Sequence, residues 1–238
     1  NMAGFGKWVG GAIGWALGGP IGGILGYQVG KLFSSGNQKQ EGGATRSGDF
    51  AMALVVLSAA VMNADGKVVK SELDFVKKFL KMNFGDTMAD QLLQLLREAL
   101  KQRVDVRGVA SQIRSNMDHP KRLLLLQYLF GIAKADGDVD KTELDLIRDI
   151  ARNLGISAKD IASIEETFNT GSANPYKVLE ITKTATDSEV KKAYRRLAIK
   201  FHPDKIGDLG EGPKKLAKER FLQVSNAYEE LKKARGFK

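Results

Sequence analysis

His202, Pro203 and Asp204 stand together at the end of a basic stretch, "EVKKAYRRLAIKFHPDK", and His202 is one of only two histidines among 238 residues. A histidine beside an aspartate suggests acid–base catalysis, a metal ligand, a nucleic-acid contact or a protein docking corner. Hydrolytic catalysis would need an activated nucleophile within reach of the base. The chain has no cysteine and no G-x-S-x-G elbow, and its other histidine, His119, opens a Leu-rich stretch. Metal binding needs more soft or imidazole ligands than two distant histidines supply. No catalytic residue, metal site or cofactor is therefore expected, and the chain is not expected to be an enzyme. Nucleic acid is the serious rival partner for a basic helix. Here the five cations Lys191, Lys192, Arg195, Arg196 and Lys200 have no exposed aromatic among them and no helix-turn-helix pattern around them. A nucleic-acid partner is not expected. What remains is a docking surface for another protein, or a solvated basic face with a proline helix stop.

A formal net charge of +9 favours anionic partners, whether nucleic acid, lipid headgroups or an acidic protein face. The absence of cysteine excludes a disulfide framework and thiol chemistry.

The elements that hold this corner are legible around it. Asn174 before Pro175 is an N-cap followed by a first-turn proline, which opens a short helix through about Leu179. "TDSE", Thr186 to Glu189, is a capping box that opens the basic helix. On that helix Val190, Ala193, Tyr194, Leu197 and Phe201 recur at helical spacing as a buried stripe, and the five cations lie off it. Pro203 then ends the helix by disfavouring helical geometry at His202. Pro213 can start a final helix whose stripe is Ala217, Phe221, Val224, Tyr228 and Leu231. The two amphipathic helices should pack as an antiparallel hairpin with the His-Pro-Asp corner exposed at one tip.

Upstream, residues 50–169 alternate helical patterns with short breaks. Helices are predicted near 50–63, 71–83, 87–102, 106–116, 120–134, 142–154 and 158–168. The stretch "KRLLLLQYLFGIAKA" is apolar on most sides and should be the core helix. An internal repeat sits here: "NADGKVVKSELDFV" from Asn63 and "KADGDVDKTELDLI" from Lys134 align with an offset of 71 residues. The pattern invites a calcium loop, which needs oxygen ligands at positions 1, 3 and 5, Gly at 6 and Glu at 12. With Gly66 or Gly137 at position 6, Glu72 or Glu143 falls at 12, but position 1 is Val61 or Ile132. A loop lacking its first ligand in both copies is not a calcium site. Each Asp-Gly is expected to make a turn, the Val two residues on to anchor the loop, and Ser71 or Thr142 to cap the next helix.

At the other end, "GKWVGGAIGWALGGPIGGILGYQVGKLF", residues 6–33, carries 23 uncharged residues between Lys7 and Lys31. That length can cross a hydrocarbon core of roughly 30 Å as a helix. Glycine recurs every fourth residue, and Gly10, Gly14, Gly18, Gly22 and Gly26 form a GxxxG series that suits close helix association in lipid. Because four residues advance about 400°, the stripe drifts around the helix, so either several neighbours pack here or Pro20 bends or breaks it. Lys31, Lys39 and Arg46 follow the segment and only Lys7 precedes it, which puts the C-terminal body in the cytoplasm of a single-pass protein. Residues 34–49 read as a polar Gly/Ser-rich linker.

Three resemblances rest on these residues. The paired A-D-G-x-V…E-L motifs resemble the TerB-like helical domain. "PYKVLEI", "TDSEVKKAYRRLAIKFHPDK" and "RFLQVSNAYEEL", in this order, resemble the J-domain of DnaJ-type co-chaperones. The whole order, with the membrane segment first, is similar to the DjlA-type membrane-anchored DnaJ-like proteins. The resemblance implies an all-α chain with a glycine-zipper membrane segment at 6–33, a linker at 34–49, a TerB-like domain at 50–169 and a J-domain at 174–238. It further implies a bacterial inner-membrane co-chaperone that binds a DnaK-type heat-shock chaperone and stimulates its ATP hydrolysis. In that family the His-Pro-Asp loop is the trigger, here His202, Pro203 and Asp204. The basic helix meets an acidic surface, here through Lys191, Lys192, Arg195, Arg196 and Lys200. A homo-oligomer through the membrane segment is expected. Two features depart from the full DnaJ pattern: "KKARGFK" leaves no room for a fourth J-domain helix, and neither a Gly/Phe-rich linker nor a Cys-rich module is present. The alternative is a membrane scaffolding protein whose J-like hairpin no longer activates a chaperone.

Overall fold

A computed structural model describes residues 19–25, 45–135, 137, 140–169, 173–202, 204 and 211–237, and among them the regular structure is entirely helical. The fold is all-α. Among the described residues nine helices run from Thr45 onward: α1 (Thr45–Met62), α2 (Lys70–Ala99), α3 (Val106–Asn116), α4 (His119–Ala133), α5 (Lys141–Asn153), α6 (Ala158–Glu166), α7 (Pro175–Val178), α8 (Asp187–Lys200) and α9 (Glu211–Arg235).

Helix α4 is the predicted core helix, buried without interruption from Leu123 to Ala133. It packs on α1, which is buried from Phe50 to Met62, so two helices rather than one form the centre. A polar pin crosses between them: the Ser58 and Tyr128 hydroxyls lie 2.9 Å apart, and Ser58 also donates to the Leu54 carbonyl. Burial raises the Tyr128 phenol further above its usual range, so it stays protonated. Helix α1 begins at Thr45, so the last five residues of the expected linker are helical instead. The two helices expected at 71–83 and 87–102 run end to end as α2, with the break surviving as a kink at Gly85, whose φ is 75°.

The repeat folds as two turns, with Gly66 at φ 80° and Gly137 at φ 89°, a left-handed conformation that glycine adopts without steric cost. Two details of the expectation are overturned. Val68, 42% exposed, is not seated in the core, and Val139 of the second copy lies outside the described residues. Neither Ser71 nor Thr142 caps a helix, because α2 and α5 each start before them. Asp140 caps α5, accepting from the backbone of Thr142 at 2.6 Å and of Glu143 at 3.2 Å. In the first copy Val69 occupies that place, and the Glu72 carboxylate instead accepts from the Val69 N–H at 3.2 Å.

Most of the expected membrane segment, including Gly10, Gly14, Gly18 and Gly26, lies outside the described residues. Residues 19–25 are helical, and Gly22 is buried there. Gly19, with φ 64°, takes the backbone out of right-handed helix directly before Pro20. Ile21 and Leu25 are buried in the common apolar core, the Ile21 N–H donates to Gln112 Oε1 at 3.0 Å, and Gln102 donates to the Ile24 carbonyl at 3.1 Å. Among the described residues no helix is long and apolar enough to cross a membrane.

Candidate docking site

Helices α8 and α9 form the expected hairpin, with α7 ahead of them. Asn174 caps α7 by accepting from the Tyr176 N–H at 3.0 Å. The capping box at α8 is complete: Glu189 N–H donates to Thr186 Oγ1 at 3.3 Å, and Thr186 N–H to the Glu189 carboxylate at 2.7 Å. Helices α8 and α9 pack together, with Tyr194 and Tyr228 stacked at 4.3 Å. Helix α9 starts two residues before Pro213, which therefore sits in the first turn, where a missing N–H breaks no helical bond.

At the end of α8 the His202 side chain is 51% exposed and that of Asp204 88% exposed. The Asp204 N–H donates to His202 Nδ1 at 3.3 Å, and Asp204 Oδ2 lies 3.5 Å from the same nitrogen. The imidazole edge rests against Phe221 of α9, 6.4 Å between ring centroids, so α9 backs the corner. Pro203 lies outside the described residues. Among the described residues no group of three or more His, Asp or Glu side chains is set to hold a metal ion.

The five cations are not equivalent. Lys192 and Arg195 are exposed. Lys191 reaches over the Phe237 ring at 5.4 Å, a cation–π contact that leaves its charge near the surface. Arg196 pairs with Glu180 at 2.8 Å. Lys200 departs from the expectation: its ammonium is held by Asp160 of α6, and its side chain is only 19% exposed. It ties α8 to the neighbouring helices rather than standing open to a partner. Ile199, 63% exposed, lies one turn beyond Arg195 and adds an apolar contact to the outer face.

The tie at Lys200 belongs to a seam that sequence reasoning missed. Helix α9 packs on α2 and α4 as well as on α8. Arg220 is fully buried there, donating to Ser163 Oγ at 2.5 Å and lying 5.2 Å from the Phe201 ring centroid. Burial lowers its guanidinium to about 10, with Glu180 and Asp160 opposing that shift, so it remains charged at neutral pH. Glu180 sits at φ 59° with its side chain buried. Burial, then hydrogen bonding to Asp160 and repulsion from it, raises the Glu180 carboxyl. Burial would also raise Asp160, but hydrogen bonds to Lys200, Glu180 and Ser157 outweigh it and hold Asp160 low. The two carboxyls are therefore shifted in opposite directions, Glu180 up and Asp160 down. His119 Nε2 lies 3.6 Å from Asp160, and burial together with Lys200 lowers its pKa.

Two sequence signals pointed to buried charge. Arg220 falls between Leu216 and Val224 on the apolar stripe of α9, where a cation requires a partner. Glu72 and Glu143 hold the same position in the two repeat copies and meet in the structure, hydrogen-bonded to each other and buried. Arg235 was missed as well. It reaches the Ala185 carbonyl at 2.6 Å, the Lys183 carbonyl at 3.0 Å and the Tyr176 hydroxyl at 3.2 Å, closing the end of the hairpin over α7.

Comparison with known proteins divides the chain in three. Residues 2–40 match the co-chaperone DjlA transmembrane domain, residues 51–166 the tellurite resistance protein TerB, and residues 174–236 the DnaJ domain. The Co-chaperone protein DjlA of Coxiella burnetii (strain RSA 493 / Nine Mile phase I) is 29% identical over 198 residues, covering 74% of this chain and 73% of that protein. The Co-chaperone protein DjlA of Aliivibrio fischeri (strain ATCC 700601 / ES114) is 28% identical over 247 residues, covering 87% of each. The Chaperone protein DnaJ of Fusobacterium nucleatum is 45% identical over 56 residues, which are 24% of this chain and 14% of that protein. No solved structure matches the chain significantly.

Proposed function

We propose that this chain, similar to DjlA-type co-chaperones in each of its three parts and in their order, is a membrane-anchored co-chaperone that docks on a DnaK-type chaperone and stimulates its ATP hydrolysis. The observation that carries this reading is the exposed His202–Asp204 corner at the end of a cationic helix. Lys192, Arg195, Arg196 and Lys191 speed encounter with an acidic face, and high salt weakens that effect. Pro203 fixes the turn, and Asp204 is free to meet a cation of the partner. Bond breaking occurs in the chaperone's nucleotide site, so this chain lowers a barrier there without being an enzyme itself.

In the same proposal residues 6–33 anchor the chain once through the bacterial inner membrane, with residues 45–238 in the cytoplasm. The series Gly10, Gly14, Gly18, Gly22 and Gly26 packs copies together in lipid. Insertion exchanges the apolar bed of Ile21, Ile24 and Leu25 on the helical body for acyl chains of similar polarity.

Single-turnover ATP hydrolysis by DnaK tests the docking role. The wild-type chain should accelerate it, and His202→Gln should abolish most of the acceleration. A wild type without effect would leave the scaffolding alternative; a fully active His202→Gln would remove the corner from the mechanism.

A further inference from the structure

Helix α6 lies against the hairpin because several ties hold it there. Lys200 is bound to Asp160, Ser163 Oγ donates to the Val178 carbonyl at 2.6 Å, and Lys177 pairs with Glu166 at 3.1 Å. Between α6 and the start of the hairpin these ties leave an open groove of about 770 Å³. Ala162, Ile181 and Ala193 contribute apolar lining, and the cations come from both sides. Lys159 projects from α6, Lys177 from α7, and Lys192 and Arg196 from α8. Arg196 and Lys177 are answered by Glu180 and Glu166. Lys159 and Lys192 are exposed, and neither forms an ion pair. Of the groove's acids, Glu180 is buried on Arg196, and Glu189 accepts from both the N–H and the hydroxyl of Thr186 while its charge also acts on Lys192.

We infer that this groove continues the chaperone-docking surface across the domain boundary, and that Lys159 of the TerB-like part contacts an acidic segment of the same chaperone. The inference rests on the docking role proposed above. Continuity carries it, because Lys192 belongs both to the outer face of α8 and to the groove. Charge complementarity sets the occupant: four cations against two acids around an apolar lining fit a polypeptide with acidic and apolar side chains better than a bare anion. The seam thereby acquires a purpose. By pairing with Asp160, Lys200 holds Lys159, one residue away on α6, beside the docking helix.

The test titrates the full chain in detergent against DnaK and reads the concentration giving half-maximal stimulation. Lys159→Glu should raise that concentration about fivefold at low salt, the effect of roughly 1 kcal/mol, and the difference should shrink at high salt. Lys159→Gln should fall between, and Lys77→Glu, an exposed reversal on α2 outside the groove, should match the wild type. A Lys159→Glu curve that superposes on the wild type overturns the inference while leaving the docking role intact. An equal shift in Lys77→Glu also overturns it, by reducing the effect to net charge. A shift seen only in anionic vesicles assigns the groove to lipid headgroups instead, again against the inference. A wild type that stimulates nothing fails earlier, at the docking role itself.

Discussion

The molecule buries two pairs of acids and neutralises them in opposite ways. Glu72 and Glu143 meet inside the TerB-like part, and the charged groups acting most on Glu143, namely Glu72, Asp140 and Asp65, are all acidic. Burial and this neighbour push the Glu143 carboxyl up to about 8, so the pair is kept by a proton. Asp160 and Glu180 meet at the seam, where Lys200, Arg196 and Arg220 surround them. There Asp160 stays ionised. The contrast teaches what a domain boundary offers: an acid at the seam can borrow cations from the other side, and so becomes a joint, whereas an acid inside one unit can only hold a proton.

The largest expected effect breaks the joint. Asp160→Ala leaves Lys200 and Arg220 short of a carboxylate in a buried setting, which should cost about 3 kcal/mol. Urea unfolding followed by circular dichroism should show the loss, and amide exchange should quicken in α8 and α9 before it does in α1 and α4. Uniform loss across all helices would mean that the seam is not a separable joint.

A smaller effect sharpens the other half of the comparison. The folded pKa of Glu143 lies above its ordinary value of 4.5, so the folded state holds a proton that the unfolded chain releases. Its stabilising contribution is therefore complete below about pH 4.5 and is lost as pH rises through about 8. Thermal unfolding should weaken across that window by on the order of 2 kcal/mol. Glu143→Gln, which keeps a neutral hydrogen-bonding group beside Glu72, should flatten the profile. A pH dependence unchanged in Glu143→Gln would place the titration elsewhere.

The same contrast explains what could be read from the chain alone. Local features were legible because their partners lie within four residues: the Thr186–Glu189 capping box, the Asn174 cap, and the mostly apolar run Leu123–Ile132. The caps of α2 and α5 were misplaced because each lies two residues before the expected one, at Val69 and Asp140 rather than Ser71 and Thr142. The seam was not legible because Lys200 finds Asp160 across 40 residues and Arg220 finds Ser163 across 57. Periodicity marks a face as buried or open, but it does not say which distant acid waits opposite a lysine.

The central claim divides α8 into an outer face that docks a chaperone and an inner face that ties the hairpin down. The direct measurement compares Lys192→Glu with Lys200→Glu in two assays, DnaK stimulation and urea unfolding. Lys192→Glu should lose most of the stimulation while unfolding as the wild type does, and Lys200→Glu should unfold at lower urea. Full stimulation by Lys192→Glu, or wild-type stability in Lys200→Glu, would contradict the account.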